Sequence, residues 1–206
     1  MNLYSTTLKF DLPLFKTNLT PVEFLKNHPL WEDSIKKNPN SMSHIKLDWQ
    51  TNLSDQLNQF FLDHDLEIRL CEVLYKPPNA FSKIHIDGND PSKNDLTKIN
   101  WVIGGEDSKM VWYDIKDSYY AKPLSDSLVK TSTSYAAYAI VYIPEDVNEV
   151  YSENIRGPSL VQVGIPHNVI TNSQARWCMS IIFRDLKLGR RPTMMEAREI
   201  FKQYLP

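Results

Sequence analysis

A chain of 206 residues with 42% hydrophobic and 11% aromatic side chains can bury a full core, and this length predicts one domain. A formal net charge of −2 supplies no overall basic field, so a nucleic-acid partner is not expected. No apolar run is long enough to span a membrane and the opening residues MNLYSTTLKF show no signal-peptide pattern, so the expected location is the cytoplasm.

The first third reads as helix with breaks. In TPVEFLKN, Thr20 is placed as an N-cap, Pro21 opens the helix and Glu23 completes a capping-box pattern. NLSDQLNQFFLDHD puts Leu53, Leu57, Phe60 and Phe61 on one helical face. The chain then changes character. LEIRLCEVLYK, FSKIHID, TKINWVIGG, KMVWYD, YAAYAIVYIP, PSLVQVGIP and ARWCMSIIFRD are short, rich in β-branched and aromatic residues, and separated by turn-prone clusters. Such a series without intervening helices predicts an antiparallel sandwich or barrel. Cys71 and Cys178 both fall in these apolar runs and read as reduced core residues. Residues 115–135 are polar and weakly patterned, as in a long loop or lid. TMMEAREIFKQYL reads as a closing helix, with Thr193 and Glu196 again at capping-box spacing. The expected organisation is helical support over 1–64, a β core over 65–186 and a C-terminal helix over 187–206.

The stretch SKIHIDGND holds the chemistry. Side chains two apart on a strand share a face, so His85 and Asp87 project together while Ile84 and Ile86 point away. An imidazole nitrogen and a carboxylate oxygen both suit a divalent first-row metal. A third ligand has to come from elsewhere. Of the five histidines, only His167 lies downstream of this pair at a strand boundary. Two His and one carboxylate form the facial arrangement that leaves coordination positions open in non-haem Fe(II) oxygenases. Nine residues past His167, Arg176 opens the last strand and shares a face with Cys178 and Ser180. A guanidinium matches a carboxylate through a two-point fork, and a hydroxyl from Tyr75 or Ser180 would complete a carboxylate pocket. The bland alternatives are a polar pair at a strand end, a turn histidine and a surface arginine.

His85, Asp87, His167 and Arg176 together resemble the pattern of the Fe(II)- and 2-oxoglutarate-dependent dioxygenase superfamily: H-x-D, a distal His, then an Arg about ten residues on. CEVLYKPPNAFSKIHIDG and PHNVITNSQARWCMSIIF resemble segments of prolyl- and aspartyl-hydroxylase-like members, and IHIDG followed by INW and MVWY is similar to small uncharacterised oxygenases, including viral ones. The resemblance covers roughly residues 66–185. It implies a double-stranded β-helix, a cupin-like jelly roll, which agrees with the strand series. It implies Fe(II) on His85, Asp87 and His167, and 2-oxoglutarate with its far carboxylate on Arg176. Tyr75, ten residues before His85, matches a cosubstrate-contacting tyrosine. The implied reaction consumes 2-oxoglutarate and O2 and releases succinate and CO2 while oxidising a C–H bond. Asp87 itself favours hydroxylation or desaturation, because halogenating relatives replace this carboxylate. RWCMSIIFR lacks the two-arginine spacing of nucleic-acid demethylases in the family.

Asn100, a polar residue inside KINWVIGG, needs a partner if it points inward, and the cosubstrate is a candidate. Arg184 is the second choice for the carboxylate role. Trp112 and Tyr113 read as core or site wall, and His28, His44 and His64 as surface or capping residues. The substrate is expected over the iron, walled by residues 115–135 and the N-terminal helices; a peptide side chain, an amino acid and a small metabolite all remain open. The rival expectations are a non-catalytic cupin-like metal- or ligand-binding domain and a virion-associated domain with a vestigial site.

Overall fold

A computed structural model describes residues 2–87, 96–116, 129–130, 136–137 and 139–206. Its strands, in chain order, are β1 Ser5–Thr7, β2 Ser43–Leu47, β3 Leu66–Lys76, β4 Ile84–Asp87, β5 Thr97–Gly104, β6 Lys109–Ile115, β7 Val129–Lys130, β8 Ala136–Ala137, β9 Ala139–Tyr142, β10 Val147–Glu153, β11 Gly157–Gln162, β12 His167–Ile170 and β13 Arg176–Asp185. The helices are α1 Pro21–Asn27, α2 Pro29–Trp31, α3 Trp49–Asn52, α4 Asp55–Asp63 and α5 Met194–Ile200. The 115–135 loop expected from the sequence lies largely outside the described residues.

The chain is mainly β. One antiparallel sheet runs β1-β11-β5-β13-β3-β2 and a second runs β10-β6-β12-β4-β9. Successive strands change sheets: β3, β5, β11 and β13 stand in the large sheet, and β4, β6, β10 and β12 in the small one. This winding of one chain through two facing sheets is the double-stranded β-helix, the jelly roll expected from the sequence. Among the described residues, β7 and β8 pair only with each other.

The large sheet has two unlike faces. Cys71, Val73 and Tyr75 of β3, Ile99 and Trp101 of β5, and Trp177, Met179 and Ile181 of β13 alternate onto one side. Leu25, Ile35, Leu57, Phe60, Phe61 and Phe201 cover that side, so the N-terminal helices and α5 back the sheet there. Both capping boxes form. Thr20 and Thr193 accept from the backbone N–H of Glu23 and Glu196, whose carboxylates accept from the two threonine N–H groups in return. The opposite side of the sheet faces the small sheet. There Val102 and Val161 pack against Met110 and Trp112 of β6.

Two expectations change here. The N-terminal third is not helix alone, because it lends β1 and β2 as the edge strands of the large sheet. The N-terminal helices also cannot wall a substrate above His85, since they lie on the far side of the large sheet from it. Among the described residues, no helix is long and apolar enough to cross a membrane.

Phe61 is 1% exposed and packs 5.8 Å from Phe183 across this helix–sheet interface. Phe61→Ala should lower unfolding free energy by about 3–5 kcal/mol in urea titrations. A loss below about 1 kcal/mol would mean that the helices do not clamp the sheet.

Candidate metal and cosubstrate site

Adjacent strands of the small sheet bring the distant histidines together. β12 pairs antiparallel with β4 so that His167 stands directly opposite His85, with ring centroids 4.6 Å apart. The period-two alternation of β4 adds Asp87 to the same face, while Ile84 and Ile86 turn into a separate apolar cluster with Tyr142 and Val147. The Asp87 N–H donates to the Val163 carbonyl at 2.8 Å, which fixes the end of the strand. One donor atom from each of His85, Asp87 and His167 lies within 4.8 Å of the others.

The imidazoles are oriented for a cation. Nδ1 of His85 lies 2.7 Å from the Lys83 carbonyl and Nδ1 of His167 lies 2.9 Å from the Ile165 carbonyl. A carbonyl oxygen only accepts, so Nδ1 carries the proton and, in the neutral ring, Nε2 keeps its lone pair. Burial, followed by the nearby His85, pushes His167 down to about 3, so its ring stays neutral near pH 7. His85 Nε2 faces Asp87 Oδ1 at 3.5 Å. Two nitrogen lone pairs and a carboxylate oxygen converging in this way fit a divalent metal and leave positions open on the far side.

The wall opposite comes from the inner face of the large sheet. Cross-strand partners share a face, and the register aligns Arg176 with Lys76, Cys178 with Leu74 and Val102, and Ser180 with both Glu72 and Asn100. Arg176, Ser180 and Asn100, all named from the sequence, therefore stand together on the side that faces the triad, each of them buried. Asn100 Oδ1 and Ser180 Oγ have no hydrogen-bond partner among the described residues. The free Ser180 hydroxyl can donate to an anion, and the buried Arg176 guanidinium stands on the same face, so this wall suits a polar anionic ligand. Gly105, at φ +61°, makes room for Arg176: a Cβ there would come 2.6 Å from the arginine Cβ.

Tyr75 is not brought to this site. It sits in phase with Cys71 and Val73 on the helix-covered face, edge-on to Trp31 and tilted against Trp177, and its hydroxyl donates to the Pro39 carbonyl at 3.0 Å. The apolar alternation Cys71, Val73, Tyr75 carried this signal in the sequence. Arg184 is also elsewhere, ion-paired to Glu67 at 2.5 Å. His28 and His64 are helix caps as expected. His44 differs from its expected surface role: it is largely buried and lies 3.0 Å from Glu72.

A chain of charges joins the two sheets. Lys98 Nζ lies 2.5 Å from Asp87 Oδ2 and 4.0 Å from Glu72. Burial alone would raise the Asp87 carboxyl, but Lys98 holds it well below the usual range. Asp87 thus gives one oxygen to the lysine and turns the other towards the histidines. Lys98 is two residues from Asn100 on β5, so the two side chains share the inner face.

No protein-family model matches the sequence, and no curated protein sequence is detectably similar to it. Solved structures with a similar course of chain include a prolyl-4-hydroxylase from Pseudomonas putida, at 14% identity over 86% of this chain and 91% of that one, with a TM-score of 0.38. A viral collagen prolyl hydroxylase from Paramecium bursaria Chlorella virus-1 shares 12% over 80% and 90% of the two chains, with a TM-score of 0.37. An oxalate oxidase solved with a substrate analogue, glycolate, shares 14% over 89% and 78%, with a TM-score of 0.35. At these values the likeness is one of fold, and the chemistry rests on the residues above.

Lys98→Met should leave Asp87 without its counter-charge and destabilise the metal-free protein by on the order of 3 kcal/mol in urea. Added Mn(II) should restore part of that loss by supplying the missing positive charge at Asp87. Full stability without metal would show that Lys98 does not balance the site.

Proposed function

We propose that this protein is an Fe(II)- and 2-oxoglutarate-dependent oxygenase that hydroxylates a C–H bond of a peptide side chain, an amino acid or a small metabolite. The observation that carries the reading is the convergence of His85, Asp87 and His167 within 4.8 Å, with both histidine Nδ1 atoms engaged by backbone carbonyls. When bound, iron and 2-oxoglutarate supply the oxidising chemistry, consuming O2 and releasing succinate and CO2.

The chain's own residues do the rest. His85, Asp87 and His167 hold the metal on one side and leave the other open. The Asp87 charge offsets part of the charge of the metal. Arg176, 3% exposed, takes the far carboxylate of 2-oxoglutarate through its two-point fork. Ser180 supplies a hydroxyl donor, which gives its unpaired oxygen a partner, and Asn100 offers its amide NH2 next to it. Met110 and Trp112, buried between the sheets, help to keep water from the inner face. The two buried free thiols agree with a reducing, cytoplasmic setting.

A second reading draws on one specific contact. Lys98 already stands 2.5 Å from Asp87 and supplies it with a counter-charge. On that reading the fold is a cupin-like binding domain in which the lysine replaces a metal.

Succinate formation separates the two. With Fe(II), 2-oxoglutarate and O2, the wild-type protein should form succinate, and Asp87→Ala and His167→Ala should fall to the no-enzyme background. Arg176→Gln should raise the KM for 2-oxoglutarate by about tenfold or more, the worth of a charge-assisted hydrogen bond. Iron binding without succinate would favour the binding domain.

A further inference from the structure

The inner face of the large sheet carries three buried basic side chains, and among the described residues only one of them has a carboxylate partner. Lys98 has Asp87 and Glu72. Arg176 and Lys76 are 3% and 8% exposed, and no carboxylate among the described residues pairs with either. They are direct cross-strand partners on β13 and β3, so both side chains leave the sheet on the face towards the triad. Arg176 lies beside the Cys178 thiol, and Lys76 Nζ reaches the Met42 sulfur at 3.3 Å. Neither sulfur neutralises a cation. Burial, and then the neighbouring Arg176, draw the Lys76 ammonium down to about 7, as expected of a cation held without a counter-charge. Two adjacent buried cations are costly unless an anion joins them. Unpaired Ser180 and Asn100, themselves cross-strand partners, lie four residues further along the same face, past Cys178.

We infer that Lys76 and Arg176 together form a two-cation clamp for the far carboxylate of a 2-oxo dicarboxylic acid, Lys76 filling the place that sequence alone gave to Tyr75. This inference rests on the oxygenase reading for the identity of the acid. Two positive groups on one carboxylate would make the site select sharply for a dicarboxylate over a 2-oxo monoacid of the same chelating head, because only the dicarboxylate carries a second charge to the clamp.

The test compares 2-oxoglutarate with pyruvate, which keeps the 2-oxo acid head and lacks the far carboxylate. Binding to the Mn(II)-loaded protein is measured by calorimetry, and Mn(II) binding alone by electron paramagnetic resonance. Lys76→Met should weaken 2-oxoglutarate by on the order of tenfold or more, leave pyruvate and Mn(II) unchanged, and so compress the preference between the acids. Lys76→Arg, which keeps the charge, should hold that preference close to wild type. Thermal unfolding of both variants checks that the fold is kept, and Lys76→Arg keeps the test open if Lys76→Met does not fold: loss of preference in the arginine variant would overturn the clamp. Unchanged 2-oxoglutarate affinity in folded Lys76→Met would overturn the clamp and leave the oxygenase reading standing. A wild-type protein that binds Mn(II) but neither acid would overturn both.

Discussion

The structure depends on one constraint: the side chains of β3, β5 and β13 alternate between two environments that cannot be exchanged. On one face, Val73, Trp101, Trp177 and Met179 are sealed under aromatic helices. On the other, Lys76, Lys98, Asn100, Arg176 and Ser180 look across to the small sheet. Slipping any of these strands by one residue would put cations among the phenylalanines and tryptophans. The apolar face therefore fixes the register, and the register sets the polar site. The helices contribute to function by holding the sheet from behind rather than by touching a ligand.

Facing this wall, the small sheet needs little to assemble its half. A single registered pair, His167 opposite His85, joins residues more than eighty positions apart, and alternation brings in Asp87. Backbone carbonyls two residues earlier in the chain orient each imidazole, so the same local device serves both histidines. Lys98 connects the halves by reaching from the large sheet to the Asp87 carboxylate. The site is thus a joint between sheets, with its metal donors on one and its cations on the other.

Much of this was legible in the sequence where the pattern was strong. LEIRLCEVLYK is β3 from end to end, the two capping boxes form, and the three metal-ligand candidates converge. The short edge strands were not legible. SHIKL and STT are three to five residues long and partly polar, and STT pairs with β11, far along the chain. VNEVYSE is fully buried only at Val147 and is interrupted by a bulge, so it lacks the apolar alternation of a core strand. Tyr75 shows a different failure. Its spacing to His85 was right by resemblance, yet its phase with Cys71 and Val73 put it on the covered face. Lys98 and Lys76 escaped notice because a lysine in a strand ordinarily reads as solvent-facing; only knowledge of what lies across the sheet makes it internal.

The most direct test of the account is the visible spectrum of the protein with Fe(II) and 2-oxoglutarate in the absence of oxygen, beside Asp87→Ala. A weak, broad charge-transfer band in the wild type and its loss in the variant is the predicted result, since it reports the 2-oxo acid chelated to iron at this triad. Iron bound to the wild type with no such band would contradict the account and leave the jelly roll as a binding domain balanced by Lys98.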